Sequence, residues 1–446
     1  MTACPALFIS APASGQGKTT LTAGLARLHR RLGRRVRVFK TGPDFLDPMI
    51  LGRAAGTPVY SLDLWMVGEA ACRQLLEEAA QTADVILVEG VMGLFDGTPS
   101  SADLAAAFGI PVAAVISAQS LAQTFGAIAF GLARFRPDLP FHGVLANRTG
   151  SPRHADMVRE SLPSDIRWLG HVPADRHIEL PDRHLGLVQA NEIDDLEVRL
   201  ERAADALAGT QLADLPPPVE FGHPAAAPRA ARVPHLAGLR IAVARDDAFS
   251  FIYPANLDLL AALGAQIEYF SPLDDEPVPA HADALYLPGG YPELHAPLLA
   301  RNHRSAASIR AHANAGRRIV AECGGMLYLL DSLTDKVGRT TPMLGLMPGD
   351  ATLAARFVSL GMQQQHGRLG TLTGHTFHYS RLVTPLEPVG HAMHPVTHLR
   401  GEAIFHHGSI VASYMHAYWP SNPAFAASLF KDAPGELRAT ATGTAA

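Results

Sequence analysis

The chain has few cysteines, little net charge and no long uninterrupted apolar run. Its three cysteines, Cys4, Cys72 and Cys323, are too few and too scattered for a disulfide framework, which predicts a reducing, cytoplasmic setting. The formal net charge of −5 excludes the strongly basic field that attracts nucleic acids. The apolar stretch at residues 104–117 is interrupted by glycine and proline and is too short to span a bilayer, so no membrane partner is predicted.

The length of 446 residues exceeds what one hydrophobic core usually holds, so we expect two domains. The first half alternates strand and helix patterns, which predicts an α/β domain with a doubly wound parallel sheet. Its predicted strands are residues 6–10, 36–39, 85–89, 112–117 and 143–147, and its predicted helices include residues 19–32 and 69–80. A stretch rich in proline and alanine, residues 211–236, is predicted to link this domain (1–210) to a second α/β domain (237–446). Strands of the second domain are predicted at residues 239–244, 284–287 and 318–321.

A glycine-rich segment follows the first predicted strand and opens the first predicted helix. Such a segment directs backbone N–H groups at phosphate oxygens, while a lysine and a hydroxyl serve the outer phosphates and magnesium. Pro12 stands where the usual P-loop pattern has its first glycine. The alternative is a glycine-rich turn with a solvated lysine, which accounts less well for the strand–loop–helix context. The predicted ATP-binding residues of this loop are Ser14, Gly15, Gln16, Gly17, Lys18, Thr19 and Thr20.

Acidic residues follow the next two predicted strands. Asp44 and Asp47 come after the second strand, and Glu89 ends the third. Carboxyl ends of parallel strands meet at one edge of a sheet, and Mg²⁺ takes one or two such carboxylates together with water and phosphate. Each acid taken alone could instead cap a helix or form a turn. Together with the hydroxyl of Thr19, the carboxylates of Asp44, Asp47 and Glu89 predict a magnesium site.

A cysteine and a histidine in the second half carry a different chemistry. Cys323 follows a predicted strand and precedes two glycines, which favours a nucleophile on a tight turn, its thiol pKa lowered by the next helix N-terminus. His416 ends another strand pattern and is the candidate base, and Gly289 and Gly290 are the candidate oxyanion site. The alternative is a small buried cysteine without a chemical role.

Two further histidines, His375 and His378, have a spacing that a metal site could use. No matching cysteine or acid cluster accompanies them in the sequence, so we favour a structural role over zinc binding.

The motifs at residues 40–48 (KTGPDFLDP), 89–97 (EGVMGLFDG) and 180–187 (LPDRHLGL) occur in an order that resembles the cobyrinate a,c-diamide synthase family. That family joins an ATP-dependent domain, similar to dethiobiotin synthetase, to a class I glutamine amidotransferase domain. The resemblance implies that Lys18 and Thr19 hold ATP and Mg²⁺, with Glu89 and Asp44 as metal partners. It also implies further contacts, with adenine by Asn147 and with the substrate by Asp47 and Asp96. Arg183 and His184 could contact the carboxylates of the macrocycle or could be structural.

The resemblance extends to the residues around Cys323, with one departure. Many amidotransferases of this class carry a glutamate two residues after the histidine, where this chain has Tyr418. The cobyrinate branch commonly lacks this acid as well, so the group that orients His416 stays open. A second segment, residues 241–254, contains Arg245, Asp246 and Tyr253, which could be structural or could build the surface through which ammonia passes.

The implied function is ATP- and glutamine-dependent amidation of the a and c acetate carboxylates of cobyrinate in cobalamin biosynthesis. The implied partners are glutamine, ATP and a corrinoid polycarboxylate. The resemblance to the family also suggests a homodimer. Alternatives are the same reaction on metal-free hydrogenobyrinate, cobyric acid or nickel-sirohydrochlorin. The alternative from a different functional class is a partition-type ATPase that has a P-loop and a second domain that only binds a partner.

Overall fold

A computed structural model describes residues 2–183, 186–222 and 235–431. The chain divides into two compact units, Met1–Pro228 and Arg229–Ala446. None of the helices in these ranges combines the length and the apolar character needed to cross a bilayer.

The first unit alternates strands and helices along most of its length. Its strands are β1 (Thr2–Ser10), β2 (Val36–Thr41), β3 (Tyr60–Leu62), β4 (Val85–Glu89), β5 (Val112–Ser117), β6 (Phe141–Thr149), β7 (Trp168–Pro173), β8 (Asp182–Arg183), β9 (Gly186–Leu187) and β10 (Pro218–Phe221). Its helices are α1 (Lys18–Arg31), α2 (Leu46–Ala55), α3 (Glu69–Ala80), α4 (Ser101–Phe108), α5 (Thr124–Arg134), α6 (Pro152–Glu160) and α7 (Leu196–Ala208).

The main sheet of the first unit is parallel and has the order β3-β2-β4-β1-β5-β6-β7. Strand β4 is buried along its whole length, as expected for a parallel strand covered on both faces. Strands β2, β4 and β1 are parallel neighbours in this order. The loops that follow these three strands therefore leave the same edge of the sheet close together. The predicted doubly wound domain is confirmed, and the sequence did not indicate the short strand β3 or the edge strand β7.

The stretch predicted as a linker, residues 211–236, contains regular structure at its start. Strand β10 pairs antiparallel with the beginning of β1, with Phe221 opposite Thr2. Residues 218–221 are therefore a strand of the first unit, paired on one side with the beginning of the central strand β1, and not a linker, and the boundary between the two units falls after Pro228. Proline is tolerated there because an edge strand needs fewer backbone donors than a central one.

The second unit begins with a parallel sheet and continues with antiparallel strands. Its strands are β11 (Arg240–Ala244), β12 (Gln266–Phe270), β13 (Ala284–Leu287), β14 (Arg318–Glu322), β15 (Ser332–Thr334), β16 (Thr340–Pro342), β17 (Asp350–Leu353), β18 (Ser359–Gly367), β19 (Gly370–His378), β20 (Ser380–Val383), β21 (Gly390–Met393), β22 (Arg400–His407), β23 (Ile410–Ser413) and β24 (His416–Ala417). Its helices are α8 (Pro254–Ala262), α9 (Pro292–Leu299), α10 (His303–Asn314), α11 (Gly324–Leu329) and α12 (Pro423–Lys431).

The larger sheet of the second unit has the order β12-β11-β13-β14-β23-β22-β21-β18-β19-β24. The part from β12 to β23 is parallel, and the rest is antiparallel. A smaller sheet has the order β16-β15-β17-β20. The strands predicted around residues 239–244, 284–287 and 318–321 are confirmed as β11, β13 and β14, whereas the antiparallel extension was not predicted.

Candidate active sites

The glycine-rich loop of the first unit lies between the end of β1 and the start of α1 at Lys18. Gly15 and Gly17 have φ values of 77° and 91°, a backbone conformation that residues with a Cβ rarely adopt. The Lys18 ammonium turns back over the loop and donates to the carbonyl oxygens of Ala13 at 3.1 Å and Met92 at 2.7 Å. Burial and the nearby Lys40 lower the pKa of Lys18 to about 8. A phosphate oxygen beside this ammonium would favour its charged form.

Residues from two other strands brace this loop. The Asn147 amide donates to the Gln16 carbonyl at 2.9 Å, and the Gln16 side chain accepts from the Ser117 backbone N–H at 2.8 Å. Arg148 donates to the Gly15 carbonyl at 2.8 Å from a backbone with φ 56°. The predicted contact of Asn147 with adenine stays a prediction, since the structure places this amide against the loop itself. Sequence patterns did not single out Arg148.

A buried lysine and three acids form a charged cluster at the carboxyl ends of β2 and β4. Lys40 is 2% exposed and Glu89 is 0% exposed. The Lys40 ammonium lies 2.7 Å from Asp47 Oδ2, 3.0 Å from Glu89 Oε1 and 3.9 Å from Asp44 Oδ2. The Thr19 hydroxyl donates to the same Glu89 oxygen at 2.7 Å. The structure thus brings together four predicted site residues around a lysine that the sequence did not identify as functional.

The charges of this cluster depend on one another. Burial raises the pKa of Glu89 to about 7, against the opposing effect of Lys40. Burial and the charge of Asp47 raise the pKa of Asp44 well above its ordinary value. Burial alone would raise the pKa of Asp47, but the Lys40 ammonium outweighs it and holds that pKa below the ordinary range. One buried cation therefore keeps at least one of the acids ionised.

The oxygen atoms of Thr19 and Glu89 fit a magnesium ion that completes its coordination with phosphate and water. Within the described ranges, no three side chains of histidine, cysteine, aspartate or glutamate are arranged so that they could hold a metal ion by themselves. Asp44 accepts from the backbone N–H groups of Leu46 at 2.9 Å and Asp47 at 3.3 Å. Its predicted role as a metal ligand stays a prediction.

The segment after β4 lies on the glycine-rich loop. The Leu94 backbone N–H donates to the Ala11 carbonyl at 2.8 Å, and Asp96 accepts from the Gly93 N–H at 2.9 Å. The charge of Asp96 also acts on the pKa of Lys18, so this acid is close to the phosphate-handling residues.

The other predicted residues of this unit are less informative. Ser14 is exposed at the tip of the loop, and Thr20 lies half-buried in the first turn of α1. Arg183 belongs to the two-residue strand β8, but its side chain and the whole of His184 lie outside the described part of the structure. Their contacts with the substrate stay predictions.

In the second unit, Cys323 stands on the turn between β14 and α11. Its φ of 43° and ψ of −107° belong to a conformation that a residue with a side chain rarely adopts. The Cys323 N–H donates to the Ser413 carbonyl at 2.8 Å, which ties the turn to the end of β23. The structure therefore places this cysteine on a strained strand-to-helix turn, the arrangement that projects a nucleophile from a sheet.

The predicted lowering of the thiol pKa is wrong. Burial and the charge of Glu293 raise the pKa of Cys323 well above its ordinary value, and the hydrogen bond from the Gly324 N–H opposes them too weakly. Helix α11 is only 6 residues long, so few aligned peptide dipoles act on the sulfur. The thiol, and not the thiolate, is therefore the resting form, and a base must take its proton.

The Gly289–Gly290 turn touches both partners of the predicted reaction. A Cβ atom on Gly289 would lie 2.3 Å from Cε1 of His416, so the imidazole ring packs against this glycine. A Cβ atom on Gly324, next to Cys323, would lie 2.9 Å from the backbone nitrogen and oxygen of Gly290. The turn therefore lies against the histidine on one side and against the cysteine turn on the other.

His416 is 1% exposed and belongs to β24, which pairs with β19. Burial, and after it His375 and His378, lower the pKa of His416 well below its ordinary value, so its ring is neutral and can accept a proton. The rings of His416 and His375 are stacked, with centroids 5.0 Å apart. His378 instead shares a hydrogen bond of 3.1 Å with Glu402.

Glu322, the residue before Cys323, is a buried acid that sequence patterns did not single out. It accepts from the Tyr286 hydroxyl at 2.8 Å and from the Ala417 backbone N–H at 3.2 Å. Burial raises the pKa of Glu322 to about 8. An acid in an apolar strand directly before a candidate nucleophile is the signal that could have identified it.

We expect Glu322→Gln to change how stability depends on pH. In the unfolded chain the carboxyl group loses its proton near its ordinary pKa of 4.5, whereas the folded protein keeps that proton up to about pH 8. The free energy of unfolding should therefore fall as pH rises between these values, and the isosteric amide should abolish this loss. The free energy of unfolding of the variant should equal that of the parent near pH 5 and exceed it by about a few kcal/mol near pH 8.5. Urea denaturation at both pH values measures this difference. The exposed Glu268→Gln is the control, and a stability difference that does not grow with pH would contradict the expectation.

Comparisons with known proteins agree with this two-part geometry. Residues 7–188 match the family described as the CobQ/CobB/MinD/ParA nucleotide binding domain. Residues 240–424 match the CobB/CobQ-like glutamine amidotransferase domain. The first match contains the glycine-rich loop and the Lys40 cluster, and the second contains Cys323 and His416.

The chain is also similar over nearly its whole length to curated proteins. It is 59% identical to the hydrogenobyrinate a,c-diamide synthase of Stutzerimonas stutzeri (strain A1501), over 96% of this chain and 99% of the relative. It is 58% identical to the protein of the same name from Pseudomonas aeruginosa, over 96% and 98%. The cobyrinate a,c-diamide synthase of Herminiimonas arsenicoxydans is 50% identical, over 95% and 96%.

Proposed function

Because the chain belongs to the hydrogenobyrinate and cobyrinate a,c-diamide synthase family of glutamine-dependent ligases, we propose that it amidates the a and c acetate carboxylates of hydrogenobyrinate. The observation that carries the choice of substrate is the full-length identity of 58–59% to two relatives that bear this name. The relative named for cobyrinate is 50% identical, so the cobalt-containing ring is the second candidate. The sequence motifs alone favour cobyrinate, whereas the names of these two relatives favour the metal-free ring.

Activation of the carboxylate is assigned to the first unit. Transfer of the γ-phosphoryl group of ATP to a substrate carboxylate gives an acyl phosphate and ADP, which converts a poor leaving group into a good one. Lys18 and the N–H groups of the glycine-rich loop would hold the phosphates, as their geometry supports. Mg²⁺ on Thr19 and Glu89 would stabilise the negative charge of the phosphoryl oxygens.

Release of ammonia is assigned to the second unit. His416 takes the thiol proton, and Cys323 attacks the side-chain amide of glutamine to form a thioester and ammonia. Water then hydrolyses the thioester to glutamate, and the ammonia displaces phosphate from the acyl phosphate. Each amidation consumes one ATP, one glutamine and one water, so two amidations consume two of each. Cys323 must stay reduced for this chemistry, which supports the cytoplasm as the place of the reaction.

The test is to give the purified protein Mg-ATP and glutamine with hydrogenobyrinate in one tube and cobyrinate in another. Mass spectrometry then counts the exchanges of hydroxyl for amino groups. We expect two exchanges on hydrogenobyrinate and none when ATP is left out. Two exchanges on cobyrinate alone would make the cobalt-containing ring the substrate. No exchange on either ring, with glutamine hydrolysis intact, would show that the acceptor is a different acid.

A further inference from the structure

Two side chains hold the backbone of the strand that carries His416. The Ala417 N–H donates to Glu322, and the Ala417 carbonyl accepts from the Asn256 amide at 2.8 Å. Asn256 also accepts from the Trp419 N–H at 2.9 Å. These bonds fix where the strand runs, but they leave the rotation of the His416 ring about its own side-chain bonds to other contacts.

Contacts on the ring itself come from β19, from the Gly289–Gly290 turn and from Phe251, whose ring centroid lies 6.2 Å away. His375 is the direct partner of His416 in the pairing of β19 with β24. The two imidazole rings are nearly parallel, with an angle of 19° and a centroid separation of 5.0 Å. Gly289 leaves room for the ring, because a Cβ atom there would overlap with Cε1. His375 therefore supplies a flat surface that selects one orientation of the His416 ring.

His375 is itself fixed by Tyr253. The Tyr253 hydroxyl and Nδ1 of His375 share a hydrogen bond of 3.0 Å, and the two residues are 3% and 4% exposed. The edge of Tyr253 also packs on Tyr418, with ring centroids 5.6 Å apart and an angle of 83°. Burial lowers the pKa of His375 to about 3, so the surface presented to His416 is a neutral ring.

We propose that the Tyr253–His375 pair positions His416 for proton transfer with Cys323, in place of the acid that many class I amidotransferases carry at the position of Tyr418. Both residues act through the orientation of the His416 ring. The inference rests on the proposed glutaminase role of Cys323 and His416. It also explains how the His416 imidazole is held ready to accept the thiol proton.

The test compares Tyr253→Phe, His375→Ala and His375→Phe in two reactions, one driven by glutamine and the other by ammonium chloride. We expect Tyr253→Phe and His375→Ala to lower kcat for glutamine hydrolysis by about 10-fold or more, because small misplacements of a catalytic group are costly. The KM for glutamine and the ammonia-dependent rate of amidation should stay at parental values. His375→Phe, which keeps a flat ring at this position, should recover part of the rate lost in His375→Ala.

Several outcomes would overturn the proposal. A rise in KM with unchanged kcat would assign the pair to glutamine binding, and an equal fall of both reactions would assign it to general stability. No recovery in His375→Phe, or no effect of any variant, would remove the stacked ring from the mechanism. His312→Ala, another buried histidine of the same unit, is the control for lost packing. Tyr253→Phe removes only the hydroxyl group that bonds His375. The proposal can therefore still be tested with this variant if His375→Ala does not fold.

The proposed function fails separately from this inference. It fails if the parent protein hydrolyses no glutamine, or if Cys323→Ala hydrolyses it at the parental rate. Both measurements precede the comparison of the variants.

Discussion

Gly289→Ala should lower the glutamine-dependent reaction by at least about 100-fold while amidation with ammonium chloride stays near the parental rate. A Cβ atom at this position would lie 2.3 Å from Cε1 of His416, which is far inside van der Waals contact. The backbone of Gly289 is not in the left-handed region, so alanine causes a local overlap and not a strained backbone. The His416 ring must then move away from the turn, and the base is no longer held where it can take the thiol proton. Steady-state rates with glutamine and with ammonium chloride measure the effect.

Gly131→Ala is the matched control, because a Cβ atom there would meet no neighbour within 4 Å. This variant should keep both activities. Parental glutamine hydrolysis in Gly289→Ala would mean that His416 does not need its observed place. Loss of both activities together would mean that the substitution disturbs more than this ring.

Lys40→Met should destabilise the protein by about 3–5 kcal/mol and abolish amidation with either nitrogen source. The lysine is 2% exposed, and its ammonium contacts Asp47 at 2.7 Å and Glu89 at 3.0 Å. Methionine keeps the length of the side chain but removes the charge that compensates these buried acids. Without that charge, the acids either stay ionised or take up protons. Ionised acids without the lysine repel one another and the phosphate oxygens, and protonated acids do not bind magnesium. Urea denaturation followed by circular dichroism, together with ATP-dependent amidation, measures the two effects.

Lys431→Met, at the exposed end of α12, is the control for the loss of one positive charge. It should change neither stability nor activity. A Lys40→Met protein as stable as its parent would show that the buried acids need no cation nearby. Full activity would remove Lys40 from the site altogether.

The strands and loops of the site could be predicted from local patterns, because each pattern has a local cause. The glycine-rich loop around Lys18 follows from the conformations that glycine allows and from its place between a strand and a helix. The position of Cys323 after β14 follows from an apolar strand and the glycines behind it. Such patterns identify which residues stand at the ends of strands.

Patterns of this kind do not tell which strand ends meet. Lys40 and Glu89 are 49 residues apart in the chain, and they become direct partners only in the pairing of β2 with β4. In the same way, His375 meets His416 only because β19 pairs with β24. In the sequence the pair of His375 and His378 therefore suggested a metal site or a structural role, whereas the structure shows His375 stacked on the ring of His416.

The wrong prediction for the Cys323 thiol has the same origin. A helix N-terminus is visible in the sequence and favours a thiolate, but burial and the charge of Glu293, from the first turn of α9, act more strongly on the sulfur. Burial and through-space charge are properties of the folded chain.

The sequence by itself determined the two α/β domains, the glycine-rich loop between β1 and α1, the acids that follow β2 and β4, and the order of the candidate nucleophile and the candidate base. These features depend on residues that are neighbours in the chain, whose conformational preferences and periodicity are local. Only the tertiary structure decided that Lys40 neutralises the buried acids, that Glu322 holds the His416 strand and that His375 supports its ring. Lys40 and Glu89, Glu322 and Ala417, and His375 and His416 are each far apart in the chain and meet only in the folded protein, where the exclusion of water strengthens their contacts.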